Sequence, residues 1–169
     1  MSRHDFPRAA SELTIVGCSR GSADPMDIIS AFRKEGFGVQ PVRADMVFGD
    51  DHIKTAYMHA ARAFARGTNS SGDLMTELLM YAACETQIAK AIEKMKVTSQ
   101  NGIVLCISPM IEATRLQDML AGLGLERDDS LMDADESKLV NAARLGIRAD
   151  AQVTDSVIER IAMIDLLKR

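Results

Sequence analysis

The segment GCSRGS, which contains Cys18 and Arg20, holds the residues of this sequence best suited to covalent chemistry. Thiol-dependent phosphotransfer enzymes use a cysteine thiolate that a loop of backbone N–H groups and an arginine stabilise. In the usual cysteine-phosphatase loop a longer stretch separates the cysteine from the arginine, whereas here only Ser19 lies between them. An ordinary turn after a strand is therefore the favoured interpretation. A small phosphotransfer enzyme that uses Cys18 and Arg20 is the alternative.

The other candidate reactive residues are isolated from one another. Cys84 precedes Glu85 without a nearby histidine to act as its base, so a packed small side chain is the simpler interpretation. His52 and His59 are separated by about 10 Å of helical rise, too far for a simple metal site. The cysteines lack CxxC spacing, and the HExxH, P-loop and dinucleotide motifs are missing. The sequence therefore predicts no catalytic residue, no metal and no cofactor.

A basic helix face is the first of two more informative surface features. Steps of about 100° along the helix predicted at 50–66 place His52, His59, Arg62 and Arg66 on one side. The following helices add three lysines, Lys90, Lys94 and Lys96. Because the net charge of the chain is −4, any contact with nucleic acid needs a local basic patch of this kind. A solvated face and a contact with a phosphate backbone both remain open.

The last predicted helix is the second feature, because its sequence is apolar on two sides. One stripe consists of three large residues and two flanking ones, namely Val157, Ile161 and Ile164 with Ile158 and Ala162. A second stripe, Met163 and Leu167, lies on a different side. Such a helix either lies deep in the core or presents one of its sides to a partner.

The elements that must position these residues fit one domain, predicted at 11–169 after a flexible tail at 1–10. Strands are expected at 12–18, 39–48 and 102–108, with a fourth within 123–133, and helices at 26–35, 50–66, 74–83, 85–95, 111–120, 136–145 and 156–168. Pro41 cannot donate to a central ladder, so the second strand is expected near a sheet edge. The sequence has neither an apolar run of about 18 residues nor a signal-peptide core, which predicts a cytoplasmic protein.

Three stretches of the sequence, in matching order, resemble one known family. They are RADMVFGDDHI, LMTELLMYAACETQIAKAIEKM and TDSVIERIAMIDLLKR, which begin at Arg43, Leu74 and Thr154. Together they resemble the smallest regulatory subunit of the KEOPS complex, also called the PRPK-binding protein family, in its archaeal type. The resemblance extends over most of the chain, from about Leu13 onward.

The resemblance implies a role in tRNA modification without catalysis by this chain. KEOPS transfers a threonylcarbamoyl group to tRNA to make N6-threonylcarbamoyladenosine. Members of this family bind and stimulate its small atypical kinase/ATPase subunit, and in archaea they help to hold tRNA by its 3′ CCA end. The implied fold is α/β (α+β), a single compact domain in which a small mixed sheet of about four strands is surrounded by about seven helices. The implied state is a monomer alone and part of a hetero-oligomer in the cell.

The resemblance also gives functions to the two surface features. Kinase docking is expected on the outer side of the last helix, through Ile158, Ile161, Ala162 and Asp165. The residues expected to bind tRNA, with the terminal base stacked on the tyrosine, are Arg62, Arg66, Tyr81, Gln87, Lys90 and Lys94. Archaeal relatives read roughly R-A-S-G-Q-T-Q-I where residues 81–88 read Y-A-A-C-E-T-Q-I. A homodimeric scaffold that pairs through the last helix is the second alternative.

Overall fold

The structure, a computed structural model, describes residues 12–20, 23–98 and 102–168, so the tail predicted at 1–10 lies outside the described residues. Within them the chain forms four strands, β1 (Thr14–Arg20), β2 (Gly38–Arg43), β3 (Ile103–Ser108) and β4 (Leu125–Arg127). These strands form one sheet in the order β2-β3-β1-β4. The predicted number of strands is confirmed, and Pro41 lies in the edge strand β2, as expected from its missing N–H.

The sheet is antiparallel throughout, so the expectation of a mixed sheet is wrong. β3 pairs with both β1 and β2, and β4 pairs with β1, each time in the antiparallel sense. β1 and β2 run in the same direction, but β3 lies between them and no parallel pair forms. This strand order is that of a split β-α-β arrangement, with several helices inserted between β2 and β3.

Helices make up most of the rest of the described chain. They comprise six α-helices, α1 (Pro25–Lys34), α2 (Asp50–Arg66), α3 (Leu74–Ala82), α4 (Ile88–Met95), α5 (Ala113–Gly122) and α6 (Val153–Leu167), and three 3-10 helices, Ala44–Met46, Asp129–Met132 and Glu136–Leu145. Six of the seven predicted helices are therefore α-helices, and the one predicted at 136–145 is the long 3-10 helix. The expected α+β class is confirmed.

Local sequence signals account for several of the helix ends. Asp24 caps α1, because its carboxylate accepts the Met26 N–H at 2.8 Å while Pro25 occupies the first helical position. α2 ends at Gly67, whose φ of 70° lies in the left-handed region that favours glycine. Asp73 then caps α3, since its carboxylate accepts the Thr76 N–H at 3.0 Å. The loop between these two helix ends, residues 67–73, is short.

Each face of the sheet is covered by its own layer of helices. On one face α1 and α5 pack against the sheet through Phe32, Leu105 and Leu116, and we call this the α1–α5 layer. On the other face α2, α3 and α6 pack together over Val104 and Cys106 of β3, and we call this the α2–α3–α6 layer. β3 is therefore buried on both of its faces.

The segment after β4 crosses β1 at very close range. A Cβ atom at Gly17 would lie 2.3 Å from the backbone oxygen of Asp128, and the Asp128 N–H donates to the Gly17 carbonyl at 2.7 Å. Only glycine fits at this crossing, so the close backbone contact explains the glycine that precedes Cys18. Cys18 itself lies inside β1 and is fully buried, not in a turn after the strand as expected.

Candidate functional site

α6 has one buried side and one exposed apolar side. Val157, Ile161 and Ile164 lie in the core, each at most 1% exposed. On the opposite side the exposed fractions are 47% for Met163, 62% for Leu166 and 54% for Leu167, and Ala162 is exposed beside them. We call these last four residues the outer face of α6. The helix is thus apolar on two sides, as predicted, and the Met163–Leu167 stripe is the side that faces outward.

The four residues expected to dock a kinase do not share one surface. Ile161 is fully buried and belongs to the core, so its expected place on the outer side is wrong. Ile158 is half-buried and packs against the same core. Asp165 is half-buried and its carboxylate is bonded within the protein. Only Ala162 lies on the outer face, and its docking role stays a prediction.

A polar network joins α2, α3 and α6. His59 Nδ1 lies 2.7 Å from one oxygen of Asp165, and the Tyr81 hydroxyl donates to the other. Lys168 Nζ donates to the Tyr81 hydroxyl at 3.1 Å and to Glu77 Oε1 at 2.5 Å. Four of these five side chains come from the three helices and the fifth, Lys168, directly follows α6; we call the five the α2–α3–α6 network. The network ties the end of α6 to the two helices beneath it.

Glu77 is the buried end of this network and is ionised there. Its side chain is fully buried, yet its oxygens accept the N–H groups of Ser70 and Ser71 at 2.9–3.1 Å and the Ser71 hydroxyl at 2.9 Å. Burial would raise the pKa of this carboxyl, but Lys168 and the serine donors hold the pKa below its usual value. Glu77 and Lys168 therefore form a buried ion pair.

Tyr81 is a core residue and cannot stack a base in this arrangement. Its side chain is fully buried, the His59 ring lies 5.6 Å away and Lys168 Nζ lies 4.8 Å above its ring. Burial, and then the adjacent Asp165 carboxylate, raise the pKa of the Tyr81 hydroxyl, which therefore stays protonated as a donor. The expectation that Tyr81 holds a terminal base is wrong because the ring faces α6, not solvent.

His52 does not belong to the basic side of α2, although the helical angles place it there. It is fully buried, and its Nδ1 accepts the Phe48 N–H at 3.1 Å. Its proton is therefore on Nε2, which donates to the Ala82 carbonyl at 2.8 Å. Burial lowers the pKa of His52 to about 4, so the ring is neutral near pH 7.

Arg62 and Arg66 do lie together on the surface, as predicted. They line a pocket of about 300 Å³ between α2 and the end of α6, which we call the α2–α6 pocket. Its complete lining is Arg62, Ala63, Arg66, Thr68, Asp165 and Lys168. Lys168 was not among the predicted site residues, because nothing in the sequence shows that α6 ends beside α2.

The remaining predicted tRNA-binding residues lie on or next to α4 and do not line this pocket. Gln87 and Lys90 are exposed at the start of α4. Lys94 forms an ion pair with Glu85 at 2.8 Å, so part of its charge is neutralised. The structure therefore divides the predicted residues into two groups, one at the α2–α6 pocket and one on α4, and leaves Tyr81 in the core.

The junction between α3 and α4 contains a strained residue. Cys84 has a φ of 54°, the one positive value for a non-glycine residue in the part of the chain that the structure describes. Left-handed backbone is disfavoured by a Cβ atom and is readily adopted by glycine. Cys84 therefore carries backbone strain that a glycine at this position would not.

The structure gives no support to thiol chemistry. Cys18, Cys84 and Cys106 are buried free thiols, and burial raises the pKa of each to about 12. Such thiols stay protonated near pH 7 and are poor nucleophiles. Within the described ranges, no cluster of His, Cys, Asp or Glu side chains is arranged to hold a metal ion. None of the helices there has the length and apolarity needed to span a membrane.

Comparison with known proteins gives one match over most of the chain. The model of the family described as kinase binding protein CGI-121 matches residues 27–165, from the first turn of α1 to the last turns of α6. A search of curated proteins finds no significant match. The matched residues include three of the four strands, β2, β3 and β4, and the helices of the α2–α3–α6 layer. The chain therefore belongs to the CGI-121 kinase binding protein family, the family of the small KEOPS subunit that its sequence resembles.

Proposed function

We propose that this chain is a non-catalytic, cytoplasmic regulatory subunit of a KEOPS complex of the archaeal type. It binds and stimulates the small atypical kinase/ATPase subunit, and it helps to bind tRNA by the 3′ CCA end for N6-threonylcarbamoyladenosine synthesis. The observation that carries the proposal is the outer face of α6. A kinase binding protein needs an accessible surface for its partner, and this face is the apolar surface that the sequence pattern and the structure both support.

The outer face of α6 has the properties of a docking surface. Met163, Leu166 and Leu167 are large apolar side chains within two helical turns, and each is about half exposed or more. Burial of such a side chain stabilises a contact by about 1.5–3 kcal/mol when it is complete. The opposite side of the helix is fixed by the core and by the α2–α3–α6 network, so docking requires little reordering of the helix.

The tRNA part of the proposal is supported by charge. On a chain of net charge −4, contact with RNA depends on local cations. Arg66 at the α2–α6 pocket and Lys90 on α4 are predicted cations with exposed side chains, and the half-buried Arg62 lines the same pocket as Arg66. Equal affinity for tRNA with and without its CCA end would contradict the 3′-end assignment.

Co-expression with the kinase subunit from the same source tests the docking surface. Leu166→Glu should abolish co-purification while leaving the melting temperature of the isolated chain unchanged, because Leu166 is 62% exposed. Val140→Glu is the matched control, since Val140 is an apolar side chain 82% exposed on a different element, the 3-10 helix Glu136–Leu145. Retention of the kinase by Leu166→Glu would contradict the proposed surface.

Sedimentation of the isolated chain separates this proposal from the homodimeric scaffold. The proposal expects a monomer alone and a heterodimer with the kinase. A homodimer that Leu166→Glu converts to a monomer would instead assign the outer face of α6 to self-association.

A further inference from the structure

The exposed side of α6 changes from acidic to apolar along the helix. Asp155, Glu159, Ala162 and Leu166 follow one another at intervals of three or four residues, so they form one stripe on the helix surface. All four side chains are exposed. The second half of this stripe belongs to the outer face of α6, whereas the first half carries two carboxylates. We call Asp155 and Glu159 the acidic pair.

The acidic pair has no salt-bridge partner within the described residues. None of the salt bridges there involves Asp155 or Glu159. Arg148, on the segment before α6, instead lies 3.7 Å from a carboxylate oxygen of Asp150 and donates to Gln152 at 3.2 Å. The two exposed charges of the pair are therefore not neutralised by that arginine.

The helix itself gives a reason for only one of the two carboxylates. Asp155 lies in the first turn of α6, where the helix dipole favours a negative charge. Glu159 lies one turn further on, and like charges four residues apart disfavour a helix. Arg160 follows Glu159, but its side chain lies against Gly146, where an added Cβ atom would be 3.5 Å from Arg160 Nε. The charge of Glu159 is thus left without a stabilising contact of its own.

We infer that the acidic pair extends the docking surface of α6 and faces a cationic patch on the kinase subunit, an inference that rests on the kinase-docking part of the proposed function. The matching surface of the partner is apolar opposite Met163 and Leu166 and basic opposite the acidic pair. Burial of the apolar half supplies affinity. The acidic pair accelerates the encounter and selects its orientation, because charges at the edge of an interface act mainly on the association rate.

The charge pattern of the stripe disfavours other occupants. Two copies of this chain that paired through α6 in parallel would bring one acidic pair against the other. Antiparallel pairing would bury the carboxylates against the apolar residues of the second copy, where an unpaired charge is costly. An RNA strand would bring its phosphates against the same carboxylates. A partner protein with apolar and cationic groups side by side fits the whole stripe.

The test is the association kinetics of the full chain with the kinase subunit from the same source, measured by surface plasmon resonance at two salt concentrations. At low salt the double variant Asp155→Asn/Glu159→Gln should lower the association rate constant by about 3–10-fold and change the dissociation rate constant much less. At about 0.5 M salt the difference should largely disappear, because screening removes the long-range attraction. Unchanged or faster association at low salt overturns the inference.

The double variant Glu112→Gln/Asp118→Asn is the matched control. It removes the same two charges from exposed side chains at the start and in the middle of α5, in the layer on the opposite face of the sheet. Its association rate should equal that of the natural chain. Equal slowing by the two double variants would show an effect of net charge alone and would overturn the inference. A lower melting temperature of the acidic-pair variant with unchanged association would assign the carboxylates to helix stability instead.

The same measurements separate this inference from the proposed function. Kinase binding that Leu166→Glu abolishes and the acidic-pair variant leaves unchanged overturns the acidic extension and keeps the docking surface. No binding of the kinase by the natural chain overturns both, as does a homodimer that Leu166→Glu dissociates. Slower association in the acidic-pair variant alone, with nearly unchanged dissociation, supports the inference.

Discussion

The two helical layers on the sheet differ in what they bury. In the described residues the buried polar or charged side chains all belong to the α2–α3–α6 layer and the segments packed on it, and they are His52, Ser71, Glu77, Lys138 and Ser156. The α1–α5 layer buries a continuous apolar cluster. Apolar burial stabilises a fold, whereas a buried charge destabilises it unless the charge is fully partnered. Both layers therefore stabilise the fold by apolar burial, and the layer that carries the candidate site also depends on the partners of its buried polar and charged groups.

The partners of these buried groups show how the second layer is held together. Lys138, which is 5% exposed, donates to the backbone oxygens of Val47 at 2.8 Å and Leu131 at 2.5 Å. It thereby fixes the 3-10 helix Glu136–Leu145 to the segment before α2. Together with the α2–α3–α6 network, this gives the layer buried directional bonds, whereas the salt bridge that joins α5 to the end of α1 in the other layer, Arg115 to Glu35 at 2.5 Å, is exposed. Directional bonds specify one relative placement of helices, which a docking surface and a pocket both require.

The largest expected effect comes from breaking the buried ion pair. Lys168→Met leaves Glu77 buried without its cation, which should lower the free energy of unfolding by about 3–5 kcal/mol at pH 7 in a urea titration. The double variant Glu77→Leu/Lys168→Met should recover part of this loss. A loss of under about 1 kcal/mol in the single variant would mean that the pair behaves as a surface salt bridge.

This effect should depend on pH in a defined direction. The pKa of Glu77 is lowered in the folded state, so the stability that its charge provides is present above its unfolded pKa of about 4.3. It is lost as the pH falls through the lower folded pKa. The difference between the natural chain and Lys168→Met should therefore be smaller at pH 3 than at pH 7.

A cavity in the apolar layer should have a comparable but pH-independent effect. Leu116 is 2% exposed in the α1–α5 layer, so Leu116→Ala should lower the free energy of unfolding by about 3 kcal/mol. The loss should be equal at pH 7 and pH 5, since the titratable side chain buried in that layer, Cys18, has its pKa raised by burial to about 12 and stays protonated at both pH values. If the free energy lost in Leu116→Ala changed with pH, the two layers would not differ in the pH dependence of their stability.

A smaller effect is expected from the buried histidine. The pKa of His52 is lowered to about 4 in the folded state and is about 6.5 when unfolded, so the unfolded chain binds the proton more readily. Stability should therefore be complete above pH 6.5 and should fall by about 2 kcal/mol between pH 7.5 and pH 5. In His52→Gln this part of the pH dependence should disappear, and an unchanged profile would exclude His52 as its source.

The smallest effect concerns the strained residue at the start of the α3–α4 junction. Cys84→Gly removes the Cβ atom from left-handed backbone, whereas Cys84→Ala removes the thiol and keeps the strain. The glycine variant should be more stable than the alanine variant by about 1 kcal/mol in thermal or urea unfolding. Equal stability of the two variants would mean that the positive φ costs the fold nothing.

The fold could be predicted from the sequence mainly where local signals act. Asp24 followed by Pro25 indicated the start of α1, and Pro41 indicated an edge strand. The antiparallel pairing of the sheet could not be predicted in this way. It depends on β3, which follows β2 by about 60 residues in the chain and returns between β1 and β2.

The sequence predicts which faces of the helices are apolar or basic, but it does not predict which side chains of different helices contact one another. The helical angles identified two apolar stripes on the last helix, but they do not show which stripe meets the sheet, and Ile161 was therefore assigned to the wrong side. Tyr81 and Asp165 are 84 positions apart in the sequence, and no sequence pattern predicts the hydrogen bond between them. The helical angles place His52 on the basic side of α2, whereas two hydrogen bonds allow its burial.

The position of β3 between β1 and β2 has a consequence for synthesis on the ribosome. Among the strands of the described residues, β2 bonds only to β3, and β1 bonds only to β3 and β4. The sheet therefore cannot form until residues 103–108 have left the exit tunnel. α1, α2 and α3 are synthesised before β3, so their apolar sides stay exposed until the sheet forms. Nascent chains that stall before β3 should consequently be the form of this protein that most needs chaperone protection.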